Sequence, residues 1–161
     1  MIKWDREKRL RRVGILCCGF IRNYAYYEAG WNGKNSKATN EFLITVQGNF
    51  IDIAVLEWLK LFGDHNEKHH WKKIISNPDT FKTEMLKDAA ITEEDLSSCR
   101  TKFKTYRDKF LAHLDSDEIM KIPEFDIALS VVKFYYKNIA NKLGEAGLRN
   151  LQRDIDIYYQ T

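Results

Sequence analysis

The sequence predicts an all-α protein, an up-down helical bundle with a four-helix core plus short accessory helices. Three observations predict it. Only two prolines occur in 161 residues, Pro78 and Pro123. Both sit where other signals already suggest a helix start, which suits proline's tolerance in a first turn. Apolar residues recur at three- and four-residue intervals over long stretches, and clusters of Gly, Asn and Asp separate those stretches. No linker, repeat or low-complexity tract divides the chain, so residues 1–161 are expected to form one domain.

Helix one is expected from about Lys3 to Glu28. It starts charged and passes through the apolar stretch Val13 to Ile21, which is too short to span a bilayer and runs on into Arg22 and Asn23. A buried helix accounts for that stretch better than a signal peptide or membrane anchor. The segment Gly30-Trp-Asn-Gly-Lys-Asn35 predicts a turn or loop. Helix two is expected from about Thr39 to Phe62, with Phe42, Val46, Phe50, Ile53, Leu56, Leu59 and Leu61 as its apolar positions and Gly63-Asp64 closing it. The β-branched run Ile44-Thr45-Val46 weakens that helix locally.

His70 to Ile75 fits a short helix, and Asn77-Pro78 fits a cap followed by a first-turn proline for a helix to about Ala89. Thr92 followed by Glu93, Glu94 and Asp95 gives an N-cap and an acidic first turn, opening a helix that reaches Leu114. Asp115-Ser116-Asp117 should break it. Pro123 should open a long helix to about Leu143, and Gly144 with Gly147 should separate a last amphipathic segment from Leu148 to Tyr158.

The chain carries 26 basic and 23 acidic residues, a net charge of +3, too small to argue for strong non-specific nucleic-acid binding. The distribution says more. Cations concentrate at Lys3, Arg6, Lys8, Arg9, Arg11 and Arg12, and again at Arg100, Lys102, Lys104, Arg107 and Lys109. Hydrophobic residues make up 44% and aromatics 13%, enough for a substantial core. Three cysteines, Cys17, Cys18 and Cys99, do not make a disulfide framework, which fits a reducing cytoplasm. The two adjacent cysteines lie in an apolar run and are expected to pack in the core.

The candidate chemistry lies in the helix after Thr92. At 100° per residue, Leu96, Cys99, Phe103, Tyr106, Phe110 and Leu114 share one arc, the expected core face. Arg107 falls inside that arc and His113 on its far border. A guanidinium aimed at apolar surroundings is costly unless it snorkels, finds an acid, or lines a wet cleft. Arg107 and His113 are both suited to phosphate chemistry. Along one helix they rise by about 9 Å and diverge by about 120°, so a single helix is poorly placed to bring both onto one phosphorus. Two symmetry-related helices can interleave them, which predicts a homodimer with a composite site.

His65, His69 and His70, with Asp64 and Glu67 beside them, invite a metal reading, but no histidine-carboxylate signature is complete and a polar loop accounts for them better. No metal and no cofactor are expected. Tyr24, Tyr26, Tyr27, Trp31 and Phe134-Tyr135-Tyr136 have the chemistry to stack bases, and more often such residues build cores.

Arg107-Asp108, four further residues and His113 resemble the motif of the HEPN superfamily (higher eukaryotes and prokaryotes nucleotide-binding): an Arg, a polar residue, a short spacer and a His. The longer phrase Tyr106-Arg-Asp-Lys-Phe-Leu-Ala-His-Leu-Asp115, with Trp58-Leu-Lys-Leu-Phe-Gly63 and Trp71-Lys-Lys73, resembles the abortive-infection-associated branch. The resemblance implies a helical bundle dimerised through its motif helices and, in active members, a metal-independent endoribonuclease acting on RNA as a toxin or phage-defence effector. It also allows for a nucleotidyltransferase antitoxin as partner. On that expectation Arg107, His113 and Asp108 are the catalytic candidates, and Lys109, Arg100, Lys104 and Tyr106 would contact substrate. His113 would serve as general base or acid near its ordinary pKa, and Arg107 would hold the nonbridging phosphate oxygens. The alternative is a noncatalytic helical module in which Arg107 makes a structural ion pair. A cytoplasmic protein with no membrane partner fits either reading.

Overall fold

The computed structural model describes residues 3–112 and 121–160. Among them are six α-helices: α1 (Lys3–Ala29), α2 (Glu41–Phe62), α3 (Trp71–Ile74), α4 (Pro78–Ala89), α5 (Glu93–Tyr106) and α6 (Asp126–Leu148). A π-helical segment, Arg107–Ala112, continues α5, and a 3-10 segment spans Ile155–Tyr159. The expected all-α bundle is the observed one. The loop after α1 folds into a two-residue hairpin, Trp31–Asn32 against Asn35–Ser36, turning on Gly33 at a positive φ of 59°.

α1 and α2 lie against each other, and α6 packs on α1. Val13, Cys17, Phe20 and Ile21 of α1, Ala54, Val55, Trp58, Leu61 and Phe62 of α2, and Val131, Val132, Tyr135 and Ile139 of α6 are fully shielded from solvent. Each large apolar side chain so buried stabilises the fold by about 1.5–3 kcal/mol. The stretch Val13 to Ile21 is therefore the buried middle of a helix, as its length implies. All three cysteines are free and buried.

Of the apolar positions expected to face inward on α2, Leu59 and Leu61 do so, Val46 and Phe50 are half-buried, and Phe42, Ile53 and Leu56 point outward. Phe42 is 73% exposed, and Ile53 and Leu56 are also exposed, whereas Gln47, Ile51, Ala54, Val55, Trp58, Leu59, Leu61 and Phe62 face inward. Phe42, Asn49, Ile53, Leu56 and Lys60 share an arc of about 60° opposite the buried one. Apolar residues run all round this helix, so periodicity alone cannot select the inner side. Packing selects it: Trp58 stacks on Phe62 and lies 4.5 Å, centroid to centroid, from Phe103. By length and composition α2 is also the one helix among the described residues apolar enough to cross a membrane, though a third of that window is buried in the fold.

Helix ends follow local chemistry. Asn40 caps α2 by accepting from the Leu43 N–H at 3.0 Å, and the Gly63 N–H closes it onto the Leu59 carbonyl at 2.9 Å. Pro78 opens α4, though the Asn77 side chain makes no capping bond. Two expectations fail. α6 starts at Asp126, not at Pro123, because Pro123 and Phe125 both turn inward ahead of the helix; the Phe125 ring lies against Tyr24 at 4.5 Å and Phe103 at 4.9 Å, centroid to centroid. At the other end of α6 the expected break does fall at Gly144, φ 62°, but helical winding resumes to Leu148, and in place of an amphipathic segment from Leu148 to Tyr158 there is a 3-10 segment over Ile155–Tyr159. Arg11 donates to the Gly147 and Leu148 carbonyls there, satisfying otherwise orphaned acceptors. The expected break at Asp115-Ser116-Asp117 lies outside the described residues.

A candidate phosphate site at the start of the π-helical turn

α5 begins with a full capping box. The Thr92 hydroxyl accepts from the Asp95 N–H at 3.1 Å, and the Asp95 carboxylate accepts from the Thr92 N–H at 2.8 Å. This pins the helix that carries the motif. Leu96, Cys99, Phe103 and Tyr106 are buried on its inner face as the angular placement requires, and Phe110 and Leu111 are partly buried beyond them. The winding then changes. The chain is α-helical to Tyr106 and π-helical from Arg107 to Ala112, where the sequence implied one α-helix to Leu114. The α-helical geometry that the sequence implied for this stretch therefore holds only to Tyr106 among the described residues. His113 and Leu114 themselves lie outside the described residues.

Arg107 sits at the junction, its side chain 30% exposed, so it snorkels from the apolar arc toward water. Its Nε donates to Asp108 Oδ1 at 2.7 Å. The acid that meets it is thus its own neighbour, not a residue of another helix. Asp108, which helical angles put on the opposite side, turns its carboxylate back to the guanidinium. That bond raises the Arg107 pKa further, with Asp64 and Glu67 adding smaller electrostatic support. The two terminal nitrogens carry the other four N–H donors, the fork that grips a phosphate.

The four side chains expected to contact substrate divide between two faces of the helix. Arg100 and Lys104 lie with Arg107 toward the end of α2: Arg100 Nε donates to the Phe62 carbonyl at 2.8 Å, and Lys104 pairs with Asp64. Arg100 therefore caps α2 before it does anything else. Tyr106 and Lys109 lie on the other face, along a cavity of about 690 Å³ with Lys102, Phe110 and Lys121. Tyr106 is only 1% exposed, and its hydroxyl donates to Asp52 Oδ1 at 2.6 Å. Burial of this kind makes Tyr106 an anchor for the turn and leaves no open ring face for a base. Burial, then the Asp52 carboxylate, raise its pKa well above the ordinary tyrosine value.

The histidine loop is structural at its inner end. His70 is fully buried; its Nδ1 accepts from the Lys72 N–H at 3.3 Å and caps α3. Its Nε2 is buried without a hydrogen-bond partner among the described residues, and the His65 ring stands 5.0 Å away, edge to face. Burial pulls the His70 pKa down to about 4. Among the described residues no group of three or more His, Cys, Asp or Glu can hold a metal ion. The aromatics with base-stacking chemistry are mostly engaged inside: Tyr24 stacks on Phe125, and Tyr135 and Tyr136 are buried.

Two acids escaped the sequence reading. Asp52 holds Tyr106, and Glu57, beside Gly19 and Asn23, has its pKa pushed up to about 7, chiefly by burial. Each lies in the apolar run Ile51 to Leu61, and an acid within such a run is the signal that marks it. No family model, curated protein or solved structure matches the chain.

Proposed function

We propose that this chain is a metal-independent endoribonuclease of the HEPN type, a toxin or phage-defence effector that works as a homodimer. The observation that carries the reading is Arg107: a guanidinium at the start of a π-helical turn, part exposed, oriented through Nε by Asp108 and set on a turn anchored by the Tyr106–Asp52 bond. Arg107 would neutralise charge growing on the nonbridging oxygens as a ribose 2'-hydroxyl attacks the adjacent phosphorus. His113 would take the 2'-hydroxyl proton, or supply the proton that the 5'-oxygen needs to leave. The products would be a cyclic 2',3'-phosphate and a 5'-hydroxyl. The site would be completed across the dimer, Arg107 facing the partner's His113, and the exposed Ile53 and Leu56 on the outer face of α2 give a second copy apolar surface to cover.

The second reading is a noncatalytic helical dimerisation or nucleotide- or RNA-binding module; the Arg107–Asp108 ion pair favours it, because a structural role for the guanidinium would use the same bond. One assay separates the two. RNA is incubated with purified protein in chelator, alongside Arg107→Ala and His113→Ala, and the ends are mapped. The enzyme reading expects cyclic phosphate ends from the wild type and loss of cleavage in both folded variants. No cleavage over a wide RNA panel, or equal cleavage by the variants, would sink it.

A further inference from the structure

The N-terminal cations have no place in the chemistry at Arg107, yet the fold gathers them. Arg12 of α1 and Lys60 of α2 meet Lys68 and His69 of the loop after Gly63 around a cavity of about 550 Å³. Its lining also includes the apolar Ile15 and Leu16 and one acid, Glu67. Arg12, Lys60 and Lys68 are exposed, and none has an ion-pair partner among the described residues. Arg9, one turn before Arg12 along α1, adds to the same field: burial, then Arg12, Lys60 and Arg9, hold the His69 pKa below its ordinary value. Three cations without an ion-pair partner among the described residues, beside aliphatic Ile15 and Leu16, suit a phosphate-bearing strand: the cations meet the backbone, and the apolar side chains offer a base van der Waals contact.

The position matters as much as the composition. The loop that forms one wall of this cavity is held on its other flank by the Lys104–Asp64 ion pair, and Arg107 is within electrostatic reach of Asp64 and Glu67. The two basic clusters that the sequence shows a hundred residues apart thus flank one seven-residue loop, residues 64–70.

We propose that the cavity between α1 and the 64–70 loop is an auxiliary docking site for single-stranded RNA, with phosphates on Arg12, Lys60 and Lys68 and a base over Ile15 and Leu16. It rests on the ribonuclease reading and deepens it: the cavity grips substrate away from the cut, so the enzyme holds a strand of several nucleotides. The alternative occupant, a free nucleotide, shares the phosphate chemistry but spans one contact.

Binding is read by fluorescence anisotropy with an end-labelled 12-nucleotide 2'-O-methyl RNA, which has no free 2'-hydroxyl to attack, over a series of salt concentrations. The triple variant Arg12→Ala/Lys60→Ala/Lys68→Ala is compared with wild type, and its circular dichroism melt checks folding. The expected result is affinity lower by about tenfold or more, with the log-log salt slope smaller by about 2, since each lost phosphate contact on a single strand removes about 0.7. Adenosine monophosphate should compete poorly; full competition at equal concentration would overturn the strand and leave a nucleotide pocket. Unchanged affinity and slope in the folded triple variant, or no binding by wild type, would overturn the proposal outright. Cleavage of natural RNA is scored separately: a wild type that binds through these cations and never cuts leaves the docking site standing and removes the ribonuclease reading.

Discussion

Arg107 and Asp108 form a unit whose two possible uses differ in measurable ways. If Arg107 stabilises a transition state, Arg107→Ala lowers cleavage by about 10² to 10³ while the melting temperature barely moves, because an exposed ion pair contributes at most about 1 kcal/mol. Arg107→Lys should recover little, since an ammonium keeps the charge and loses the fork. Rates on a defined RNA and a thermal melt check both. Glu57 gives a prediction independent of activity. Its folded pKa of about 7 lies above the ordinary carboxylate value of 4.5, so its contribution to stability is fully present below pH 4.5 and is lost as pH rises through 7. Glu57→Gln should therefore flatten the fall in stability between pH 5 and 8, gaining on the order of 1–2 kcal/mol at pH 8, a partly solvent-screened fraction of the full shift. Denaturant titrations at the two pH values decide it. His70 acts in the opposite window. With its folded pKa lowered to about 4, the stability it supports is present above pH 6.5 and falls as pH drops toward 4, and His70→Asn should reduce that acid loss.

At the scale of elements, α2 and its closure are the most exposed to test. A Cβ on Gly63 would stand 2.4 Å from the Leu59 carbonyl oxygen, a backbone atom that cannot step aside. Gly63→Ala should cost about 2 kcal/mol, read as a lower denaturant midpoint. Elements whose signals are local were legible in the sequence: the Thr92–Asp95 capping box, Pro78 at the head of α4 and Gly63 at the tail of α2 are each written within four residues of the boundary they set. What depends on distant partners was not. The inner face of α2 is chosen by Trp58 meeting Phe103, and the start of α6 by Phe125 reaching Tyr24 and Phe103, contacts between residues far apart in the chain. The π-winding after Tyr106 was likewise illegible, because Tyr106 is fixed by Asp52 across the bundle and helical propensity alone favours the α-form. Of the candidate site, the sequence proposed the motif residues, of which Arg107 and Asp108 lie among the described residues; that Tyr106 is an anchor, and that Arg100 caps α2, required the fold.

For the whole molecule, the account makes the active unit a pair of chains. Residues on the outer face of α2 then have a purpose that the single chain does not give them, and a charge placed at Leu56, as in Leu56→Glu, should shift the mass in light scattering toward a monomer while leaving the helical circular dichroism intact. The basic band that flanks the 64–70 loop would extend the grip of each copy along one strand of RNA. The central claim, that the site is built from Arg107 of one chain and His113 of the other, is tested most directly by mixing two inactive proteins. Arg107→Ala and His113→Ala chains are combined in equal amounts, allowed to exchange subunits, and assayed for RNA cleavage in chelator. Composite sites predict recovery of about a quarter of wild-type activity, because half the dimers are mixed and each holds one intact site of two. Activity in wild type with no recovery in the exchanged mixture would contradict the account.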